Sequence, residues 1–156
     1  MRLSPTVITP IHKTRTVGLE PATAFELFTT RMGSWWPLTT HSIAQEKAIG
    51  VRFEGRVGGR VVELTEDVAE HPWADVLAWD PPHRFLLAWH PSIDPDAASM
   101  LDVRFISIES GTRVEIEHHG WEEFGSAEGA SLRDQYDPGW EAVLSRLEAY
   151  PEWRAS

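Results

Sequence analysis

Cysteine is absent from the 156 residues, which excludes disulfide scaffolds, thiolate metal sites and cysteine nucleophiles together. Positive charge is scarce: 14 basic residues, only two of them Lys, stand against 24 acidic ones, for a net charge of -10. A nucleic-acid footprint needs a basic face, so nucleic acid is not an expected partner. No apolar run approaches the roughly 18 residues of a membrane span, and the opening MRLSPTVITPIHKTRTV lacks the continuous apolar stretch of a signal peptide. The expected location is therefore cytoplasmic, without membrane partners. Repeats and low-complexity tracts are also missing, and the length suits a single domain spanning 1–156.

Tryptophan is what the chain has in excess. Eight of these residues occur, each with a ring that favours burial and an N–H that needs an acceptor. Such a surplus serves either a dense core or an aromatic-lined pocket.

The segment Pro10 to Val17 alternates loosely as a first strand. Pro21 suits the first position of a helix, and Ala24, Phe25, Phe28 and Met32 recur at helical spacing. The polar stretch Leu38 to Gly50 reads as a surface loop. From Val51 to Trp121 the period is two, with turns expected at Gly58-Gly59, at Asp80 to His83, and at Ser110-Gly111.

Each turn implies a register. In the third hairpin, Phe105 falls opposite Ile116 and Val103 opposite His118, while Arg104 and Asp102 meet Glu117 and His119 on the other face. His118 thus points inward and His119 outward. In the second, Ala78, Val76 and Ala74 face Phe85, Leu87 and Trp89. That leaves Trp73, Leu77, Trp79 and Leu86 on an outer face, as a partner surface or under the Leu38 to Gly50 loop. In the first, Phe53 meets Leu64, but Glu54 meets Glu63; either Arg52 and Arg56 neutralise this pair or a bulge shifts the register. At the C-terminus, Ala127 to Gln135 reads as a short helix. Asp137 and Pro138 open a second one, with Trp140, Val143, Leu144 and Leu147 as its apolar stripe. The class is α+β, with one sheet face covered.

Catalytic signatures are missing. His118-His119, on a strand, must diverge, and no HxH or HExxH spacing occurs, so no metal is expected. No G-x-S-x-G elbow is present, and the Gly-rich Gly55 to Arg60 joins two strands with no helix after it. No catalytic residue and no cofactor are assigned. His118 reads as a core histidine bonded to Tyr136 or a Trp N–H, as a polar contact for a ligand, or as an acid–base group.

Several segments carry a family resemblance. Pro21 to Phe25, Phe53 to Arg60, Trp79 to Arg84 and the Gly139-Trp140 start of the last stripe resemble the START-like (SRPBCC) superfamily. More narrowly, they resemble its branch named for the activator of the heat-shock-protein-90 ATPase, over roughly Ile11 to Ala149. The resemblance implies a helix-grip fold, in which a curved antiparallel sheet of about seven strands wraps a long C-terminal helix around a cavity. By position, Phe53, Trp89, Val103, Phe105, Ile116, His118, Tyr136 and Trp140 would line that cavity, with Trp36 and Trp121 near its mouth. The implied function is binding of a small hydrophobic, ring-containing ligand. A co-chaperone-like interaction protein, seen as a homodimer or bound to a chaperone through the outer patch, is the alternative; a cyclase-like enzyme is a further one. The chaperone activators carry an additional N-terminal domain for which 156 residues leave no room, and no basic motif for an acidic chaperone surface is present.

Overall fold

The computed structural model describes residues 8–67, 69–90 and 98–154. Strand β1 (Ile11–Val17) is followed by helix α1 (Pro21–Phe28), then by six strands in succession. These are β2 (Ala48–Phe53), β3 (Arg60–Thr65), β4 (Glu70–Asp80), β5 (Arg84–Trp89), β6 (Ser99–Ile108) and β7 (Gly111–His119). Helix α2 (Ser126–Ala149) and the short α3 (Pro151–Arg154) close the chain. All pairings are antiparallel, in the order β1-β7-β6-β5-β4-β3-β2. Hairpin after hairpin builds the sheet, and β1 closes on β7 rather than on β2. This curled sheet with a long helix in its concavity is the helix-grip fold.

Alternation decides which face is inside. Phe85 and Leu87, Leu101 and Val103, and Val114 and Ile116 are all buried on the concave face. Helix α1 begins with Pro21 at its first turn and packs Ala24, Phe25, Leu27 and Phe28 against one end of that face. Helix α2 covers the other end with Trp140, Val143, Leu144 and Leu147. On the concave side of β1, Lys13 and Arg15 reach α2: Lys13 meets Glu141 at 2.9 Å, and Arg15 meets Glu148 at 2.9 Å.

The registers depart from expectation in instructive ways. In the third hairpin the turn is Glu109-Ser110, so Val103 pairs with Ile116, Phe105 with Val114 and Leu101 with His118. The offset is two residues, which changes every partner but no face. His118 is inside, as expected. The first hairpin has a longer loop, 54–59, and Phe53 pairs with Val61. Glu54 and Glu63 therefore never meet. Glu54 instead accepts the Arg60 amide at 2.9 Å and the Arg52 guanidinium at 3.1 Å, which hold its carboxyl below the usual range.

In the second hairpin Ala74 and Val76 pair as expected with Trp89 and Leu87, but a bulge at Leu77 then puts Trp79 opposite Phe85. A bulge reverses the faces beyond it. Trp79 accordingly packs on Phe25 and Phe53, with ring centroids 5.0 and 5.7 Å away. A second irregularity, between β3 and β4, turns Trp73 inward, where it is 2% exposed. The expected outer patch is thus corrected: Trp73 and Trp79 belong to the concave side, Leu86 is half-buried, and Leu77 alone of the four is exposed.

The C-terminal helix is also longer than expected. It runs unbroken through Pro138, and Asp137 pairs with Lys13 and Arg133 instead of capping. Proline removes one helical hydrogen bond. Both halves are nevertheless anchored: a Cβ on Gly129 would stand 2.0 Å from the Trp121 carbonyl oxygen, and Trp140 is bonded to His118.

Candidate functional site

A cleft of about 530 Å³ lies between α2, the segment 36–43 and the inner ends of β4 and β5. This volume is within the range of small-molecule sites. Its walls are chiefly indoles: Trp36, Trp73, Trp89 and Trp140. Their rings touch one another, with Trp36 5.2 Å from Trp73 and 6.0 Å from Trp140, and Trp89 6.5 Å from Trp140. Tyr136 and Leu132 continue the α2 wall, and Thr40, His41, Ser42 and Gln135 supply polar groups.

These walls are held by the polar end of each tryptophan. Trp36 Nε1 donates to the His41 carbonyl at 2.7 Å, closing the segment 36–41 upon itself. Trp73 Nε1 donates to Glu63 Oε1 at 2.9 Å, and Trp140 Nε1 to His118 Nδ1 at 3.0 Å. Trp89 differs: its indole N–H is buried without a partner at bonding geometry among the described residues, and the Tyr136 hydroxyl is a polar group beside it. Burial pushes the Tyr136 phenol up, while the Trp89 N–H acts in the opposite direction.

Glu63 was unforeseen. Its side chain is fully buried and accepts three N–H groups: the backbone amides of Ile43 and Ala44 at 2.7 and 2.6 Å, and Trp73. Successive amides gripping a carboxylate form a nest, and the left-handed Gln45, at φ 49°, turns the chain just after it. Covering the outer sheet face is one of the two roles the sequence leaves open for the Leu38 to Gly50 stretch, the other leaving that face to a partner. This carboxylate pulls it inward instead, as a wall of the cleft.

His118 lies behind the cleft lining. A tryptophan N–H can only donate, so Nδ1 is the acceptor and the proton sits on Nε2, which donates to Ser99 Oγ at 2.7 Å. The ring is also packed 4.3 Å from Trp121. Burial first, then the neighbouring His119, lowers its pKa to about 3. With both nitrogens engaged and the ring fully buried, His118 is the core histidine of the three readings.

Of the ten residues expected at a ligand site, Trp36, Trp89, Tyr136 and Trp140 line the cleft. Phe53, Val103, Phe105, Ile116, His118 and Trp121 lie outside its lining, buried in the core. Trp73, His41, Ile43 and Gly139 belong to the wall and were not anticipated. Trp73 is hidden by the bulge, His41 and Ile43 by the irregular backbone around them, and Gly139, inside the continuous helix α2, by its lack of a side chain.

Residues 19–152 match the family described as Activator of Hsp90 ATPase homolog 1-like protein. Among curated proteins none matches the chain. Among solved structures, the chain is similar to the anthrahydroquino-gamma-pyrone synthase Txn09, at 34% identity and a TM-score of 0.57, covering 83% of this chain and 86% of that one. It is also similar to the AHSA1-like protein of Aeromonas hydrophila (17% identity, TM-score 0.62, 95% and 98% covered). The Aha1 dimer from Colwellia psychrerythraea shares the fold at 15% identity and a TM-score of 0.62, with 90% and 93% covered. With its helix grip and a match over most of its length, the chain belongs to the family of activator of Hsp90 ATPase homolog 1-like proteins.

Proposed function

We propose that the protein binds a small ring-containing molecule in the cleft between α2, the segment 36–43 and the β4–β5 ends. The observation that carries this reading is the wall itself: four indoles around about 530 Å³, three of them fixed by hydrogen bonds from their N–H groups. Pinned aromatic rings present flat apolar surface at little entropic cost, which suits a flat, largely apolar ligand. The test is a thermal-shift screen of polycyclic aromatic and lipid-like compounds. A compound present at 100 times its dissociation constant stabilises the fold by roughly 2.7 kcal/mol. If none raises the midpoint, or the binder maps by NMR to another surface, the reading fails.

Catalysis in the same cleft is the second reading, favoured by the 34% identity to a synthase. The histidine available for it is His41, not His118. Its Nδ1 is 2.7 Å from Thr40 Oγ1, and its Cδ2 edge faces Gly139 across the cleft. This reading predicts ring closure of a poly-β-keto substrate by the wild type, lost in His41→Gln. Equal turnover by the two proteins would remove His41 from it. The interaction-protein reading is weakened, because Trp73 and Trp79 are not on the outer face.

A further inference from the structure

Among the described residues, fifteen line the cleft, and none of them is lysine or arginine. The one ionisable carboxylate on the lining is Glu128, exposed on the first turn of α2 and without an ion pair among the described residues. A second carboxylate stands directly behind the wall. Glu63 is 0% exposed, has no cationic partner among the described residues, and is bonded to Ile43 and Trp73, both of which line the cleft. Its three N–H donors are neutral dipoles, so they orient the charge without cancelling it. The surroundings reinforce the sign, since the chain carries -10 in all.

An anionic ligand entering this cleft would lose water and gain no cation. It would meet Glu63 through a wall of low dielectric, where charges act more strongly than in solvent, and Glu128 at the solvent-exposed rim, where the repulsion is weaker. A positive group would meet the same carboxylates favourably, and the indole faces attract cations as well. We infer that the cleft selects a ring-bearing ligand by charge: it excludes carboxylates and phosphates and accepts neutral or amine-bearing rings. This rests on the ligand-binding reading and narrows it to a chemical class.

The experiment holds the ring constant and varies the charge. Wild-type protein is titrated calorimetrically at pH 8 with 2-naphthylmethanol, 2-naphthylmethylamine and 2-naphthoate. The amine is expected to bind at least as tightly as the alcohol, and the naphthoate at least tenfold more weakly than either. Glu128→Gln tests the source: a narrower gap assigns the selection to the rim carboxylate, and an unchanged gap to Glu63. Naphthoate binding as tightly as the alcohol overturns the inference, as does an amine weaker than the alcohol, and either result leaves ligand binding intact. If no member of the series binds while other ring compounds do, the inference fails alone. If no ring compound binds at all, it falls together with the reading beneath it.

Discussion

The concave face of the sheet has two aromatic ends, and they do opposite things. Under α1, Phe25, Phe28, Phe85 and Phe105 interlock with ring centroids 5.0 to 6.2 Å apart. A smaller groove of about 340 Å³ lies at the edge of this cluster, between Phe25 of α1, Trp79 of β4 and the β4–β5 turn. Under α2, rings at similar spacings surround a cleft. The mix of rings differs: phenylalanines fill the middle of the α1 end, with Trp35 and Trp79 at its edges, whereas four tryptophans wall the cleft. Phenylalanine has no polar end and stabilises only by being surrounded, so that end closes. Tryptophan is tied by its N–H to His41, Glu63 or His118, and a tied ring can stand as a wall with one side uncovered. Abundant aromatic residues therefore do not by themselves mark a site. Nor does a tie alone: Trp35 is bonded to the Leu27 carbonyl and Trp121 to that of His118, and both are buried outside the cleft lining.

The largest blow to the closed end is Phe85→Ala, at the centre of the phenylalanine cluster. It should cost about 3–5 kcal/mol in denaturant unfolding while leaving affinity at the other end unchanged in the folded fraction. Equal loss of ligand affinity would show that the two ends are one unit. Next in size is the effect of acid on the open end. His118 has a folded pKa near 3 against an ordinary value of 6.5, so the unfolded chain takes up a proton that the folded one refuses. Stability is complete above 6.5 and declines as the pH falls towards 3, by at most roughly 1.4 kcal/mol per pH unit. Carboxylates held below their usual range, such as Glu54 and Asp137, contribute to acid unfolding chiefly below about pH 5. Denaturant midpoints between pH 7 and 5 should therefore fall in the wild type and stay nearly flat in His118→Gln. Parallel slopes would contradict the buried neutral histidine. A smaller effect is expected from Trp36→Phe, which keeps an aromatic face but removes the N–H and frees the His41 carbonyl. About 0.5–1.5 kcal/mol of stability should be lost, along with ligand affinity, as the wall loosens. Unchanged affinity would mean that tethering is irrelevant to the wall.

How far the sequence discloses these ends depends on the local backbone. Period-two alternation from Val51 to Trp121 is enough to give the seven-stranded sheet once the first strand is added. The faces of β6 and β7 survive a misplaced turn because the error is an even number of residues. The first hairpin does not survive, since its loop is longer than the Gly58-Gly59 dipeptide suggests, and Glu63 changes from a strained surface charge to the buried tie of the cleft wall. Bulges at Leu77 and beside Trp73 leave no mark in hydrophobic patterning, because each inserts one residue into an otherwise regular strand. They turn both tryptophans from an apparent outer patch to the concave side. His118 is legible in direction but not in role: alternation points it inward, and only the partners on both nitrogens show that it is fully engaged.

Gly139 offers the most direct test of the cleft. A Cβ there would meet only His41 Cδ2, at an ordinary contact distance of 3.9 Å, a longer side chain would extend into the cleft that Gly139 lines, and the position is helical. Gly139→Leu should gain roughly 0.5–1 kcal/mol of helix stability and fill the space a ligand would use. The decisive measurement is a calorimetric titration of wild type and Gly139→Leu with the tightest ring compound from the screen, alongside their unfolding midpoints. The account predicts saturable binding to the wild type, and no detectable binding to a variant that is at least as stable. Undiminished affinity in the stably folded variant would contradict it and place the ligand elsewhere on the protein.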